Sequence, residues 1–227
     1  MTAGASRRLD WEGCLNLRDL GGMPTVDGRV TRAGQIVRGD PPDRLTPVGR
    51  AALRDYGIHT IVDLRNHDER RPGAGPEGTR TIHLPLDGVD EDPRFWERWG
   101  RGPQFGTPLY YRPHLDRFPE RSARVVAAIA QAPPGGVLFH CVGGRDRTGQ
   151  IAMLVLALVG VAPEAIAADY ELSGRADADV ERFLTERGTS AADLIVATLA
   201  EVDVEADLLA AGLREAELAA LRERLLT

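Results

Sequence analysis

The sequence is short of cysteine, of long apolar runs and of net positive charge, and each shortage excludes a class of protein. The two cysteines, Cys14 and Cys141, among 227 residues cannot form a disulfide framework, which favours a reducing compartment. The longest apolar run, residues 151–159, is far too short to cross a bilayer, which takes about 20 residues. The formal net charge of -6 argues against a general nucleic-acid or membrane-surface binder, because both partners are anionic.

The N-terminus lacks the apolar segment of a secretory signal, although it carries arginines. We therefore expect a cytoplasmic protein without stable membrane insertion, and the sequence leaves export without a signal open. No pattern in the sequence indicates the oligomeric state.

A hydrophobic fraction of 43% is enough for a core, and the length predicts one domain over residues 1–227. Residues 1–12 are predicted to be a loose leader, and residues 177–226 a helical C-terminal segment. The leucines of this segment have helical spacing. They either complete the core, as apolar stripes usually do, or form a lid over the site.

Strand-like and helix-like runs alternate along the chain. Residues 60–64 form a β-branched apolar run typical of a buried strand, and residues 136–140 form another, followed by a helix-like run over 147–160. This alternation predicts an α/β fold with a mostly parallel central sheet flanked by helices.

The segment between that strand and that helix, residues 140–149, reads His-Cys-Val-Gly-Gly-Arg-Asp-Arg-Thr-Gly. A tight loop ending at a helix N-terminus presents backbone N–H groups and the positive end of the helix dipole, which together bind tetrahedral anions. Arg147 can add two parallel N–H donors. The predicted contacts to a substrate phosphate are Val142, Gly143, Gly144, Arg145 and Arg147.

Cys141 is the predicted nucleophile. Cysteines beside helix N-termini and cations commonly titrate at about 3.5–7.5, so such a thiol attacks phosphorus as the thiolate and forms a phosphocysteine. The Thr148 hydroxyl can donate a hydrogen bond to the sulfur. His140 leaves its strand on the opposite face and is expected to orient the loop.

A leaving alkoxide or phenoxide needs a proton, and two aspartates are candidates for the general acid. Asp146 is the first choice because it lies inside the motif. Asp63 is the second, because it lies at the carboxyl end of a predicted strand, where sites of α/β sheets collect. Asp63 can instead fix Arg65, and spacing alone does not decide.

The string at 140–149 resembles the signature of bacterial tyrosine/lipid phosphatases of the mycobacterial protein-tyrosine-phosphatase B type. Three other segments are similar to that family: Asn-Leu-Arg-Asp-Leu-Gly-Gly at 16–22, Asp-Leu-Arg at 63–65 with Glu69, and Asp-Tyr-x-Leu-Ser at 169–173. The resemblance implies a cysteine-phosphatase fold with a helical lid, no metal or other cofactor, and a catalytic aspartate at the position of Asp146. It implies phosphotyrosine as substrate and, in some members, phosphoserine, phosphothreonine or phosphoinositides. Arg145 stands where the family usually has lysine.

Two other functions compete with a phosphatase. One is a phosphate-binding module without turnover, which would usually lack one of the reacting groups that are all present here. The other is a rhodanese-like sulfurtransferase, whose loop is usually one residue shorter. The five residues between Cys141 and Arg147 favour phosphate.

Arg147→Lys tests the predicted arginine fork. Lysine keeps the charge but loses the two parallel donors, so we expect kcat for para-nitrophenyl phosphate to fall about 100-fold or more. A fall of less than about tenfold, measured by nitrophenol release, would show that the charge alone is enough.

Overall fold

The computed structural model describes residues 7–70, 75–174 and 178–227. A five-stranded sheet in the order β1-β2-β5-β3-β4 forms its centre. The strands are β1 Arg18–Asp19, β2 Ile36–Gly39, β3 Ile58–Asp63, β4 Arg80–His83 and β5 Gly136–His140. In this sheet β1 pairs antiparallel with β2, and the other three pairs are parallel. The predicted α/β class with a mostly parallel sheet is confirmed.

Ten α-helices lie in the described ranges outside the sheet. They are α1 Pro47–Asp55, α2 Pro93–Trp99, α3 Tyr111–Arg117, α4 Pro119–Ala130, α5 Asp146–Leu158, α6 Pro163–Glu171, α7 Ala178–Thr185, α8 Ala191–Glu201, α9 Val204–Ala210 and α10 Glu215–Leu225. Local sequence explains several starts: Thr46 caps α1 through the Gly49 N–H, and proline occupies the first helical position of α1, α4 and α6.

Both faces of the sheet are buried. In β5, Leu138 packs with Leu53 of α1, whereas Val137 and Phe139 belong to the larger cluster that includes α4 and α5. Successive side chains of a strand point to opposite faces, so an unbroken apolar run is what a strand covered on both sides requires.

The carboxyl ends of three strands meet at one edge of the sheet. His140 of β5 lies opposite Gly39 of β2 and opposite Asp63 of β3. The segments that leave these strands therefore start side by side, and the loop 141–145 is one of them.

Gly144 lets the loop pack against the end of β2. It has φ +68°, and a Cβ placed on it would lie 2.3 Å from the Gly39 carbonyl carbon. Only glycine fits both the left-handed backbone and this close approach.

The N-terminal segment is not loose over residues 7–12. The Leu9 N–H donates to the Leu17 carbonyl oxygen at 3.0 Å, and Trp11 is only 6% exposed and packs edge-on to Tyr56. The amino-acid composition of this segment could not predict the anchoring, because the anchoring depends on contacts with residues that are distant in the sequence. Residues 1–6 lie outside the described part of the chain.

The C-terminal segment is helical with interruptions. Over residues 178–227 the chain forms α7, α8, α9 and α10, and residue 177 lies outside the described ranges. Leu218, Leu221 and Leu225 are buried and complete the core. Whether the segment also forms a lid over the site stays a prediction. None of the helices in the described ranges combines the length and apolarity needed to cross a bilayer.

Gly144→Ala tests the packing of the loop. Positive φ and the contact with Gly39 should together lower the free energy of unfolding by about 1–3 kcal/mol, measured by urea denaturation. Gly143→Ala is the matched control, because a Cβ there meets nothing within 4 Å and the change should stay within about 0.5 kcal/mol. Equal losses in the two variants would contradict this packing.

Candidate active site

Cys141 follows β5 directly and lies at the base of the loop, with 3% of its surface exposed. The backbone N–H groups of residues 142–147 have no hydrogen-bond acceptor within the described residues. Helix α5 begins at Asp146, so the last of these donors belong to its free first turn. A buried thiol beside a row of unpaired N–H donors is the arrangement of an anion site.

Arg147 is fixed by two carboxylates. Its Nη2 donates to Glu69 Oε1 at 2.7 Å, its Nη1 donates to Glu69 Oε2, and its Nη1 lies 3.1 Å from Asp87 Oδ2. Burial opposes the charge, but the hydrogen bonds that Arg147 donates to Glu69 outweigh it and raise the pKa of Arg147. The guanidinium is therefore charged, held in one orientation and in electrostatic contact with Cys141.

Sequence reasoning missed Asp87 as a site residue and gave Glu69 no role. Glu69 closes a capping box on Asn66, whose Nδ2 donates to Asp87 Oδ2 at 2.8 Å. Burial raises the pKa of Asp87, although Arg147 and Asn66 act against it. The available signal was positional, because Asp87 follows β4 at the same edge of the sheet.

The role of Asp146, the first choice for the general acid, stays a prediction. The Tyr170 hydroxyl donates to Asp146 Oδ1 at 3.2 Å, and 33% of the Asp146 side chain stays exposed. Burial raises the pKa of Asp146, with Arg145 acting against it. The segment carrying Gly106 passes beside the carboxylate, since a Cβ on Gly106 would lie 3.8 Å from Oδ2.

Asp63 is the wrong group for a general acid. It is 2% exposed, its Oδ2 lies 2.9 Å from Arg65 Nη2 and 3.2 Å from Arg70 Nε, and its pKa is lowered. Burial acts against that shift, but the hydrogen bonds from Arg65 outweigh it. An ionised carboxylate has no proton to give, so Asp63 anchors Arg65, which was the other reading the sequence allowed.

The predicted hydrogen bond from the Thr148 hydroxyl to the Cys141 sulfur is not formed in the structure. The Thr148 hydroxyl is fully buried and has no hydrogen-bond partner among the described residues. His140 behaves as expected: its Nδ1–H donates to the Cys141 carbonyl oxygen at 3.0 Å, and burial lowers its pKa. A neutral, buried histidine fixes the loop.

Comparison with known proteins identifies the family. The sequence pattern of the tyrosine phosphatase family matches residues 9–227. The chain belongs to the tyrosine phosphatase family. The predicted cysteine-dependent tyrosine phosphatase activity and the resemblance to the mycobacterial phosphatase B type are confirmed.

Two relatives and one solved structure illustrate the similarity. A putative tyrosine-protein phosphatase of Cupriavidus necator is 30% identical over 86% of this chain and 74% of its own length. The triple specificity protein phosphatase PtpB of Mycobacterium tuberculosis is 32% identical over 70% of this chain and 66% of its own. A crystal structure of P. aeruginosa TpbA in complex with pTyr superposes with a TM-score of 0.41 and 18% identity, covering 80% of this chain and 88% of that one.

Arg145 is occupied by protein contacts in this phosphatase. Its Nε donates to the Tyr170 hydroxyl at 3.1 Å, its Nη1 donates to the Gly174 carbonyl oxygen at 3.1 Å, and its guanidinium lies over the Tyr170 ring. It also borders a cavity of about 450 Å³ against α7 and the start of α8. Its predicted contact with substrate phosphate stays a prediction. Among the described residues, no group of His, Cys, Asp or Glu has the arrangement of a metal site.

Asp146→Asn and Asp87→Asn identify the proton donor. A general acid acts while protonated, so activity should fall as the pH rises through the raised pKa of Asp146, and Asp146→Asn should lack this fall. That variant should lose far more rate on aryl phosphates with poor leaving groups than on activated ones, as kcat/KM pH profiles would show. Equal losses on the two kinds of substrate would show that Asp146 is not the general acid. If only Asp87→Asn loses more rate on poor leaving groups than on activated ones, the general acid is Asp87.

Proposed function

We propose that the chain hydrolyses phosphate monoesters, phosphotyrosine above all, through a phosphocysteine on Cys141. The observation that carries this proposal is the combination of a buried thiol, a row of unpaired loop amides and a guanidinium aligned by Glu69. This combination provides a nucleophile, donors for the equatorial oxygens and a fixed charge in one place.

In the first half-reaction, the Cys141 thiolate attacks phosphorus in line with the ester oxygen. The sulfur–phosphorus bond forms while the phosphorus–oxygen bond breaks, and Asp146 gives its proton to the departing alkoxide or phenoxide. Arg147 and the loop N–H groups hold the three remaining oxygens, where the charge of the transition state resides.

In the second half-reaction, water attacks the phosphocysteine. The Asp146 carboxylate, now ionised, accepts a proton from that water, and the cysteine leaves as the thiolate. Inorganic phosphate is released and both groups return to their starting protonation states.

Two features support a preference for phosphotyrosine. Cys141 is almost completely buried, so a long side chain reaches it more easily than the short one of phosphoserine. Phe105 is exposed and neighbours Gly106 beside Asp146, where its ring can pack against the phenyl group of a substrate. The triple-specificity relative makes phosphoserine, phosphothreonine and phosphoinositides the alternatives to compare.

We also propose that the protein works in a reducing compartment, the cytoplasm, on phosphorylated proteins. The low cysteine content supports this setting, which would keep Cys141 reduced. Burial raises the pKa of the other thiol, Cys14, to about 12, so Cys14 is expected to be inert.

Cys141→Ser should abolish hydrolysis of para-nitrophenyl phosphate, whereas Cys14→Ser, the matched control, should keep wild-type kcat. The wild type should produce no thiocyanate from thiosulfate and cyanide.

Iodoacetate should label Cys141 rapidly at pH 6, and phosphate should block the labelling. Phosphate binding without turnover, or turnover that survives in Cys141→Ser, would contradict the proposal.

A panel of phosphotyrosine, phosphoserine and phosphothreonine peptides and of phosphoinositides tests the substrate preference. We expect the highest kcat/KM for phosphotyrosine peptides. A higher value for phosphoserine peptides or phosphoinositides would overturn the preference while leaving the cysteine mechanism intact.

A further inference from the structure

The loop is held from outside through its carbonyl groups. Four consecutive carbonyl oxygens each accept a hydrogen bond from a side chain beyond the loop. The pairs are Gly143 O with Asn16 Nδ2 (2.9 Å), Gly144 O with Arg38 Nη2 (3.1 Å), Arg145 O with Arg38 Nη2 (3.4 Å) and Asp146 O with Tyr111 Oη (2.7 Å).

These bonds act together with the first turn of α5, where the Gly149 N–H donates to the Arg145 carbonyl oxygen at 2.7 Å, to set where the N–H groups point. In a planar trans peptide the C=O and the next residue's N–H point in opposite directions. Carbonyls drawn outward at 143–146 therefore turn the N–H groups of residues 144–147 the other way. Those N–H groups are among the ones that lack an acceptor in the described chain.

We propose that Asn16, Arg38 and Tyr111 are positioning residues that aim the loop amides at the substrate phosphate, and that Asp169 fixes this arrangement. The proposal deepens the proposed phosphatase function and rests on it. None of these side chains needs to touch the substrate, because each acts through a loop carbonyl.

Asp169, on α6, organises the donors. Its Oδ2 lies 2.8 Å from Arg38 Nη1 and its Oδ1 lies 3.1 Å from Arg18 Nε. Arg18 in turn donates from Nη1 to Asn16 Oδ1 at 2.8 Å, which leaves the Asn16 amide nitrogen free to hold Gly143. One carboxylate thus sets the orientation of both Arg38 and Asn16.

The carboxylate is suited to this role because it stays ionised. Asp169 is 1% exposed, and burial alone would raise its pKa, yet Arg38, Arg18 and Arg7 hold the pKa at about 2. Three guanidinium groups around one carboxylate also leave an excess of positive charge behind the loop. In a buried environment this excess favours an anion on the other side of the loop.

A purely structural role for the cluster would be to join β1, β2 and α6. Loss of such a role lowers thermal stability but leaves the affinity of the folded protein for an oxyanion unchanged. The aiming role predicts weaker oxyanion binding at wild-type stability, so the two roles have different readouts.

The test measures orthovanadate inhibition, kcat/KM for para-nitrophenyl phosphate and Tm in the full chain. Tyr111→Phe removes the bond to the Asp146 carbonyl with little change in volume, whereas Asn16→Ala removes the bond to the Gly143 carbonyl together with the one from Arg18. We expect each to weaken vanadate inhibition and lower kcat/KM by about tenfold. Their loss of Tm should not exceed that of the control Tyr56→Phe, whose hydroxyl bonds Asp19 instead.

Arg38 variants separate orientation from charge. Arg38→Met and Arg38→Lys should both weaken vanadate inhibition, because lysine keeps the charge but cannot hold Asp169 and two carbonyls together. Arg224→Met is the control, since Arg224 also donates to backbone carbonyls, at Gly135 and Pro133, away from the loop. Wild-type inhibition in Arg38→Lys would overturn the aiming role of Arg38.

The outcomes also separate this proposal from the proposed function. Wild-type vanadate affinity in Asn16→Ala and Tyr111→Phe, with hydrolysis still dependent on Cys141, would overturn the aiming role and leave the phosphatase intact. A wild type that neither hydrolyses the substrate nor binds vanadate would overturn both.

Discussion

The orientation of the peptide groups between Cys141 and Arg147 is the constraint on which the rest of the site depends. In an anion site made of backbone amides, the carbonyl groups must point away from the anion. A short loop does not fix this orientation by itself, so contacts with the surrounding residues must fix it. Here Gly144 brings the loop against Gly39, and side chains from the N-terminal segment and α3 bond the carbonyls. The donors are thus arranged before any substrate arrives, which lowers the reorganisation needed in the transition state.

Burial and ion pairing give three aspartates different protonation behaviour within one edge of the sheet. Asp63 is held ionised by Arg65, whereas burial raises the pKa values of Asp146 and Asp87. Groups whose pKa values are pushed apart take different parts in acid–base chemistry. Asp63 is therefore an anchor, and the raised pKa of Asp146 supports the proposal that Asp146 is the proton donor.

The local part of this arrangement could be predicted from the sequence. Cys141, Arg147 and the strand–loop–helix around them are contiguous in the chain, and the apolar run of β5 identifies a strand covered on both faces. Asp146 lies inside the same segment, and the family resemblance agrees with its choice. These predictions were possible because each depends on neighbours a few residues apart.

The remaining features depend on contacts between distant parts of the chain. Asp87 and Arg147 come from opposite sides of β5 in the sequence, and Asp169 lies 131 residues after Arg38, so spacing gave no sign that either pair would meet. The choice of Asp63 followed a sound rule about strand ends, but the rule does not reveal that two arginines surround the carboxylate. The anchoring of residues 7–12 was hidden for the same reason.

The most direct test of the central claim is a crystal structure of Cys141→Ser with tungstate bound. We predict one tungstate at the centre of the loop, with the backbone nitrogens of residues 142–147 about 3 Å from its oxygens and Arg147 contacting two of them. Loop carbonyls facing the tungstate, or tungstate bound elsewhere with an empty loop, would contradict the account.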